Sequence, residues 1–159
     1  MTGVQTCALP IYEARLVAAA DWMLKKQVTH KGDWCVKNEQ AEPAGWYFEF
    51  NNEFYPDVDD TVMVMLGLSR VDHPNERYQH ESVERALRWV LSMQCREGGW
   101  ASFDKDNTRM VFQYVPFADH NAMLDPPTAD ITGRVLEMMA DHGYTHQDPV
   151  VARAIAFPR

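Results

Sequence analysis

Long apolar runs are missing from this sequence: its uncharged hydrophobic stretches fall well short of the ~18 residues that a membrane-spanning helix needs. Cysteine is scarce. Cys7, Cys35 and Cys95 are odd in number and form no CxxC pair, which excludes a disulfide framework or a thiolate zinc site. They read as reduced thiols in a cytoplasmic protein. Basic charge is short as well: 15 Lys and Arg face 23 Asp and Glu, for a net charge of −8. The basic residues build no stripe, so neither nucleic acid nor an anionic lipid surface is expected as an electrostatic partner. No phosphate-cradling glycine loop and no Ser/His/Asp nucleophile arrangement stands out. The chain start carries neither the basic segment nor the apolar run of a signal peptide.

What remains is ample for a core. The chain has 159 residues, 46% of them hydrophobic, with five Trp, six Tyr and seven Phe. Such a composition is globular rather than disordered. The opening Met1–Ile11 (MTGVQTCALPI) fits nothing downstream and is expected to be a foreign extension or an artefact of sequence assembly. Residues 12–159 are then one helical domain, expected to be truncated at its C-terminus.

A repeat organises that domain. Trp22-Met23-Leu24-Lys25-Lys26-Gln27 precedes Gly32-Asp33-Trp34, and Trp89-Val90-Leu91-Ser92-Met93-Gln94 precedes Gly98-Gly99-Trp100. The two Trp starts and the two Gln ends are both 67 residues apart. Arg153-Ala154-Ile155-Ala156-Phe157 echoes Arg85-Ala86-Leu87-Arg88-Trp89 at an offset of 68, so the chain stops inside what reads as a third copy. Fixed-period similarity signals an array of supersecondary units that bury their faces on one another. By this reading Trp34 and Trp100 occupy equivalent turns.

The units are helical in pattern. Tyr12–Gln27 carries Leu16, Ala19, Ala20 and Met23 at a 3.6 period, Thr61–Val71 is an apolar run opened by acids, and Glu81–Gln94 is amphipathic. Ala129–His142 follows Pro126-Pro127-Thr128 and ends at Gly143. Asp59-Asp60-Thr61 and Asp130-Ile131-Thr132 sit 71 residues apart. Each unit therefore pairs a helix opened by Asp-x-Thr with a helix ending in Gln and a Gly-x-Trp turn. The fold class is all-α, of α/α repeat type.

Pro56-Asp57-Val58-Asp59-Asp60-Thr61 carries the chemistry. Acids at a helix start cap free N–H groups and favour the positive end of the dipole, which explains one or two carboxylates. Three crowded acids resist joint ionisation, so one of them holds its proton to higher pH. An alkene is a very weak base, and its protonation needs a neutral carboxylic acid in a dry, apolar pocket. The neighbouring Trp46-Tyr47-Phe48-Glu49-Phe50, if extended, puts Trp46, Phe48 and Phe50 on one face, and aromatic faces attract cations without trapping them. A solvated helix cap and an acid catalyst both remain open on these residues alone.

Metal sites fit less well. Diphosphate-ionising isoprenoid synthases use Asp-Asp-x-x-Asp, and here Met63 stands in the fifth place after Asp59-Asp60. Asp104-Lys105-Asp106-Asn107 begins like a calcium loop, but Arg109 takes its Gly place and Val115 its Glu place. His142 and His146 are separated by a helix-breaking Gly143. No metal and no cofactor is expected.

Taken together, the Arg85–Trp100 string, its looser first copy with Ala18 in the basic place, and the Asp-x-Asp-Asp-Thr motif resemble a squalene-hopene cyclase from about Tyr12 to Phe157. The resemblance implies part of an (α/α)6 barrel that protonates a terminal alkene of squalene and cyclises it through carbocations to hopene or hopanol. It implies Asp59 as proton donor, with Asp57 and Asp60 tuning it or relaying the proton. Phe48 and Phe103 match aromatic positions that stabilise cyclising cations, and Asp125 and Asp130 match acids lining the same cavity. Arg134 stands where some members place a His, and can stabilise the anion without relaying a proton. A hydrophobic isoprenoid substrate, peripheral membrane association and a homodimer of the complete enzyme are the implied partners and location. Other readings are another terpene cyclase with the same acid motif, and a carbohydrate-active or non-catalytic α/α toroid module. A glycosidase needs two carboxyls ~5–9 Å apart across a sugar bond, which a tight acid cluster matches poorly.

Overall fold

The computed structural model describes residues 10–48, 51–109 and 124–157, without the side chains of residues 10–12. Among the described residues five helices follow one another: α1 (Pro10–Lys25), α2 (Val58–Leu68), α3 (Glu76–Ser92), α4 (Ala129–Asp141) and α5 (Pro149–Ile155). A short 3-10 turn, Asp33–Lys37, lies between α1 and α2. Among the described residues there is no strand, only isolated antiparallel bridges at Trp46–Asp57, Trp100–Thr128 and Asn107–Asp125. The chain is all-α, as expected. Most of the proposed foreign extension lies outside the described residues, and Pro10 and Ile11 already belong to α1.

Helix limits follow their caps. Asn75 accepts the Tyr78 N–H at 3.1 Å, which starts α3 five residues before Glu81, in a polar first turn that the apolar period does not reveal. Asp57 caps α2. Gly143, at φ 82, follows the end of α4 in a conformation that glycine adopts without strain.

The apolar run of α2 is the reason it lies at the centre. Val58, Val62, Met65 and Leu68 are fully buried, and α2 packs on both α3 and α4. Ala86, Leu87, Trp89 and Val90 from α3 join it, as do Ile131, Val135, Met138 and Met139 from α4. Val151 and Ala154 of α5 and Ala20 and Leu24 of α1 complete one continuous core.

The repeat is real, but its tryptophans pair differently from the sequence reading. Trp46, not Trp34, occupies the turn equivalent to that of Trp100. Trp46 Nε1–H donates to the Met23 carbonyl at 2.6 Å, and Trp100 Nε1–H donates to that of Val90 at 2.7 Å. The Trp46 N–H donates to Thr61 Oγ1, and the Trp100 N–H to Thr132 Oγ1. Gly45 and Gly99 accept from the N–H groups of Val28 and Cys95, both at 2.9 Å. Trp34 is also buried, but it meets the ring of Trp89 edge-on at 5.8 Å. The cause is an insertion: 15 residues separate Val28 from Ala44, where two separate Cys95 from Gly98. Gly32-Asp33-Trp34 lies inside that longer link and imitates the motif locally. Gly32 is required there for close approach, since a Cβ would come within 1.9 Å of the Phe54 carbonyl oxygen.

The glutamines tie consecutive units together. Gln27 Nε2 donates to the carbonyls of Ala44 and Ser82, both at 2.8 Å, and its Oε1 accepts from Arg85. Gln94 repeats this with Gly98, Val150 and Arg153. Each arginine therefore serves the glutamine of the unit before its own. Gln94→Leu is expected to leave those carbonyls and the guanidinium without partners and to cost roughly 2–4 kcal/mol. Urea unfolding of the chain measures it, with the exposed Gln147→Leu as a control expected within about 0.5 kcal/mol of the parent.

Candidate active site

The acid segment is fixed by its backbone. The Asp57 N–H donates to the Trp46 carbonyl at 2.8 Å, and the Val58 N–H donates to that of Ser102 at 2.8 Å, so the start of α2 is tied to both Trp turns. Asp57 Oδ1 accepts the N–H groups of Asp59 at 2.6 Å and Asp60 at 3.2 Å. This is an N-cap made by the first carboxylate of the cluster. The cap and the acid-catalyst readings are therefore not exclusive: one residue does the capping while the next two project beyond it.

The three carboxyls have three environments. Asp57 is buried, and its pKa is pushed up to about 6, first by loss of water, against the cap N–H bonds that hold the anion. Asp60 is also raised, again by burial first and then by the charge of Asp59. Asp59 Oδ2 instead meets Arg134 Nη1, which reaches over from α4. The pair is partly open to solvent. Contact with Asp59 raises the pKa of Arg134 and holds the guanidinium charged. Asp59 Oδ1 and Asp60 Oδ2 are both out of solvent and find no partner among the described residues.

The expected aromatic residues divide between two cavities. Asp60 and Phe48 line one of about 170 Å³ with Trp22, Met23, Trp46 and Val64. Phe48 stands 65% exposed there, while Trp46 is turned into the core, so these two do not present one shared face; Phe50 lies outside the described residues. Phe103 and Asp125 line another cavity, about 330 Å³, with Trp34, Tyr55 and Pro56. The Asp125 carboxylate accepts the N–H groups of Phe103 and Asp104, both at 2.6 Å, and of Ser102 at 3.2 Å, so it fixes the turn that carries Phe103. Asp130 is exposed in the first turn of α4, one helical turn before Arg134. Residues that the sequence reading passed over are Tyr55 and Trp22 on the walls and the Thr61 hydroxyl beneath them. Of these Trp22 left a signal through its 67-residue spacing from Trp89, and Thr61 through its 71-residue spacing from Thr132.

Among the described residues no group of three His, Cys, Asp or Glu side chains could hold a metal. No helix among them is long and apolar enough to cross a membrane.

Comparison with known proteins gives a consistent picture. The profile of the squalene-hopene cyclase C-terminal domain matches residues 1–159. A squalene–hopene cyclase of Alicyclobacillus acidocaldarius is 38% identical over 155 residues, which is 98% of this chain and 25% of that protein. A squalene-hopene cyclase of Schizosaccharomyces japonicus is 41% identical over 142 residues, covering 89% of this chain and 21% of the relative. A dammaradiene synthase of Dryopteris crassirhizoma is 46% identical over 131 residues, covering 82% and 19%. The chain spans about a quarter of the length of the curated relatives it matches.

The environment of Asp57 makes stability depend on pH. Its folded pKa, about 6, exceeds the ordinary 3.8, so the folded chain binds more protons between those values and loses stability as pH rises through them. Between pH 4 and 7 the loss is expected to be on the order of 2–3 kcal/mol. Asp57→Asn keeps an oxygen for the cap but removes the buried charge, and should flatten this slope. Urea unfolding at pH 4.5 and 7.5 reads the difference; an equally steep slope in the variant places its origin elsewhere.

Proposed function

Because the chain belongs to the squalene-hopene cyclase C-terminal domain family, we propose that it supplies the acid-bearing part of an enzyme that protonates a terminal alkene of squalene. The cation so formed then closes rings in sequence, and the last cation loses a proton to give hopene or adds water and loses a proton to give hopanol. The observation that carries this reading is the Asp57–Asp59–Asp60 cluster, capped at the start of a buried helix and bordered by an aromatic cavity.

Asp59 is the proton donor in this reading. Its Oδ1 lies out of solvent without a partner among the described residues, where a proton can sit and be aimed at a carbon. Its Oδ2 already rests on Arg134, so the charge left behind meets a guanidinium at once. Asp57 and Asp60 crowd the site with carboxyls whose pKa burial raises, so they hold a proton to higher pH than solvated carboxyls do. The donated proton goes to the alkene carbon, its π pair forms the new C–H bond, and the cation on the adjacent carbon is attacked by the next alkene.

Phe48 and Phe103 offer π-faces to successive cations along that path. Asp125 holds the Phe103 turn in place, and Asp130, next to Arg134 on α4, adds negative charge beside the guanidinium. A water-insoluble substrate favours peripheral membrane association of the complete enzyme, and we include a homodimer in the proposal. The similarity to a dammaradiene synthase favours a second reading, in which the same acid machinery serves a different cyclised product.

A graft of residues 12–157 in place of the matching segment of the Alicyclobacillus enzyme tests the roles. Asp59→Asn keeps size and most hydrogen bonding but removes the acidic proton. Conversion of squalene, followed by gas chromatography, is expected to fall by roughly 100-fold or more, about 3 kcal/mol of barrier. Near-parental turnover would leave the cluster as a helix cap. Phe48→Ala should spare initiation and release partly cyclised products. Arg134→Ala should slow turnover without changing the product ratio, because it acts on the carboxylate and not on the cation.

A further inference from the structure

Thr61 follows the acid cluster, is fully buried, and touches none of the three carboxyls through a hydrogen bond. Its Oγ1 accepts the Trp46 N–H at 2.8 Å and donates back to the Trp46 carbonyl at 3.4 Å. That carbonyl also accepts the Asp57 N–H at 2.8 Å. The Trp46 peptide is thus gripped by the first turn of the acid helix, and Phe48 lies only two residues beyond it.

A second copy of the joint shows that the arrangement belongs to the fold and not to local chance. Thr132, buried in the first turn of α4, accepts the Trp100 N–H at 3.1 Å, and the Thr128 N–H donates to the Trp100 carbonyl at 3.0 Å. Both joints need a glycine before the tryptophan. A Cβ on Gly45 would stand 2.9 Å from Thr61 Oγ1, and a Cβ on Gly99 would stand 2.9 Å from Thr132 Oγ1. The hydroxyl and the missing side chain are two halves of one close contact. In the first copy the two sides of the joint reach the same cavity: Asp60 from the helix and Phe48 from the gripped segment.

We infer that Thr61 is a positioning residue that sets the distance between the acid cluster and the aromatic wall at Phe48, so that it governs which products form and not whether the reaction starts. The inference rests on the cyclase reading above. Losing the hydroxyl leaves the acids and their cap intact but frees a buried N–H and the segment that follows it. Initiation continues, while the first cation meets a displaced π-face and escapes by early proton loss.

The test uses Thr61→Val, which conserves shape, and Thr61→Ser, which restores the hydroxyl. In the 159-residue chain, amide hydrogen exchange at Trp46 is expected to speed up about tenfold in the valine variant, the effect of one lost hydrogen bond, and to return towards the parent in the serine variant. In the graft, the valine variant is expected to raise KM and increase the share of partly cyclised products several-fold, with the serine variant close to parental. If the valine variant does not fold, Thr61→Cys, with a weak acceptor of similar size, should give an intermediate shift in the same products. A parental product ratio and KM in every folded variant lacking the hydroxyl would overturn the inference, whatever happens to stability. The parallel Asp59→Asn result separates failures: product ratios report on Thr61 whichever carboxyl starts the reaction.

Discussion

Two buried glutamine amides hold the successive helical units together, and the rest of the structure depends on them. An amide side chain has two donors and one acceptor, and out of water each must find a partner. Gln27 and Gln94 place both donors on main-chain carbonyls, one in their own turn and one in the next outer helix, and offer their oxygen to that helix's arginine. No apolar side chain could make this connection, since apolar contact is indifferent to direction. The bonds fix the spacing and rotation of α1 against α3 and of α3 against α5. Beside the frame so made, α2 packs on α3 and α4.

The acid cluster stands at the start of that helix. A carboxylate at a helix start gains from the free N–H groups, and a carboxylate away from water loses. At Asp57 the two effects act on one group, and the loss of water prevails although both cap bonds are made. Asp59, two residues on, has turned towards α4 and meets a guanidinium instead. Neighbours in sequence thus come to differ in surroundings because helical geometry sends them in different directions.

Much of this was legible from residue order. The 67-residue period, the all-helical pattern and the helix opening at the acids follow from spacing and composition, and they match the structure. Three features were not. Trp34 follows the Gly-x-Trp pattern and Trp46, after Ala44-Gly45, does not, so only the hydrogen bonds of Met23, Gly45 and Thr61 reveal Trp46 as the counterpart of Trp100. Arg85 and Gln94 belong to one string, yet each bonds across a repeat boundary, because a linear motif does not state whether its members face one another. The separation of Phe48 from Phe103 reflects the Asp125 clamp on residues 102–104, a long-range contact without local signature.

The long link between Val28 and Ala44 carries a lesson for engineering. The same glutamine geometry is closed once by two residues and once by 15. On chain-statistics grounds the longer closure costs about 2 kcal/mol more, an amount comparable to what burying one large side chain such as Trp34 returns. Linker length and interhelical geometry are therefore separable variables at this turn. A reporter group, a short epitope or a crosslinking handle introduced between Cys95 and Gly98 would meet the same tolerance that the molecule already displays one unit earlier. The turn is a natural port for cargo in a scaffold of this type.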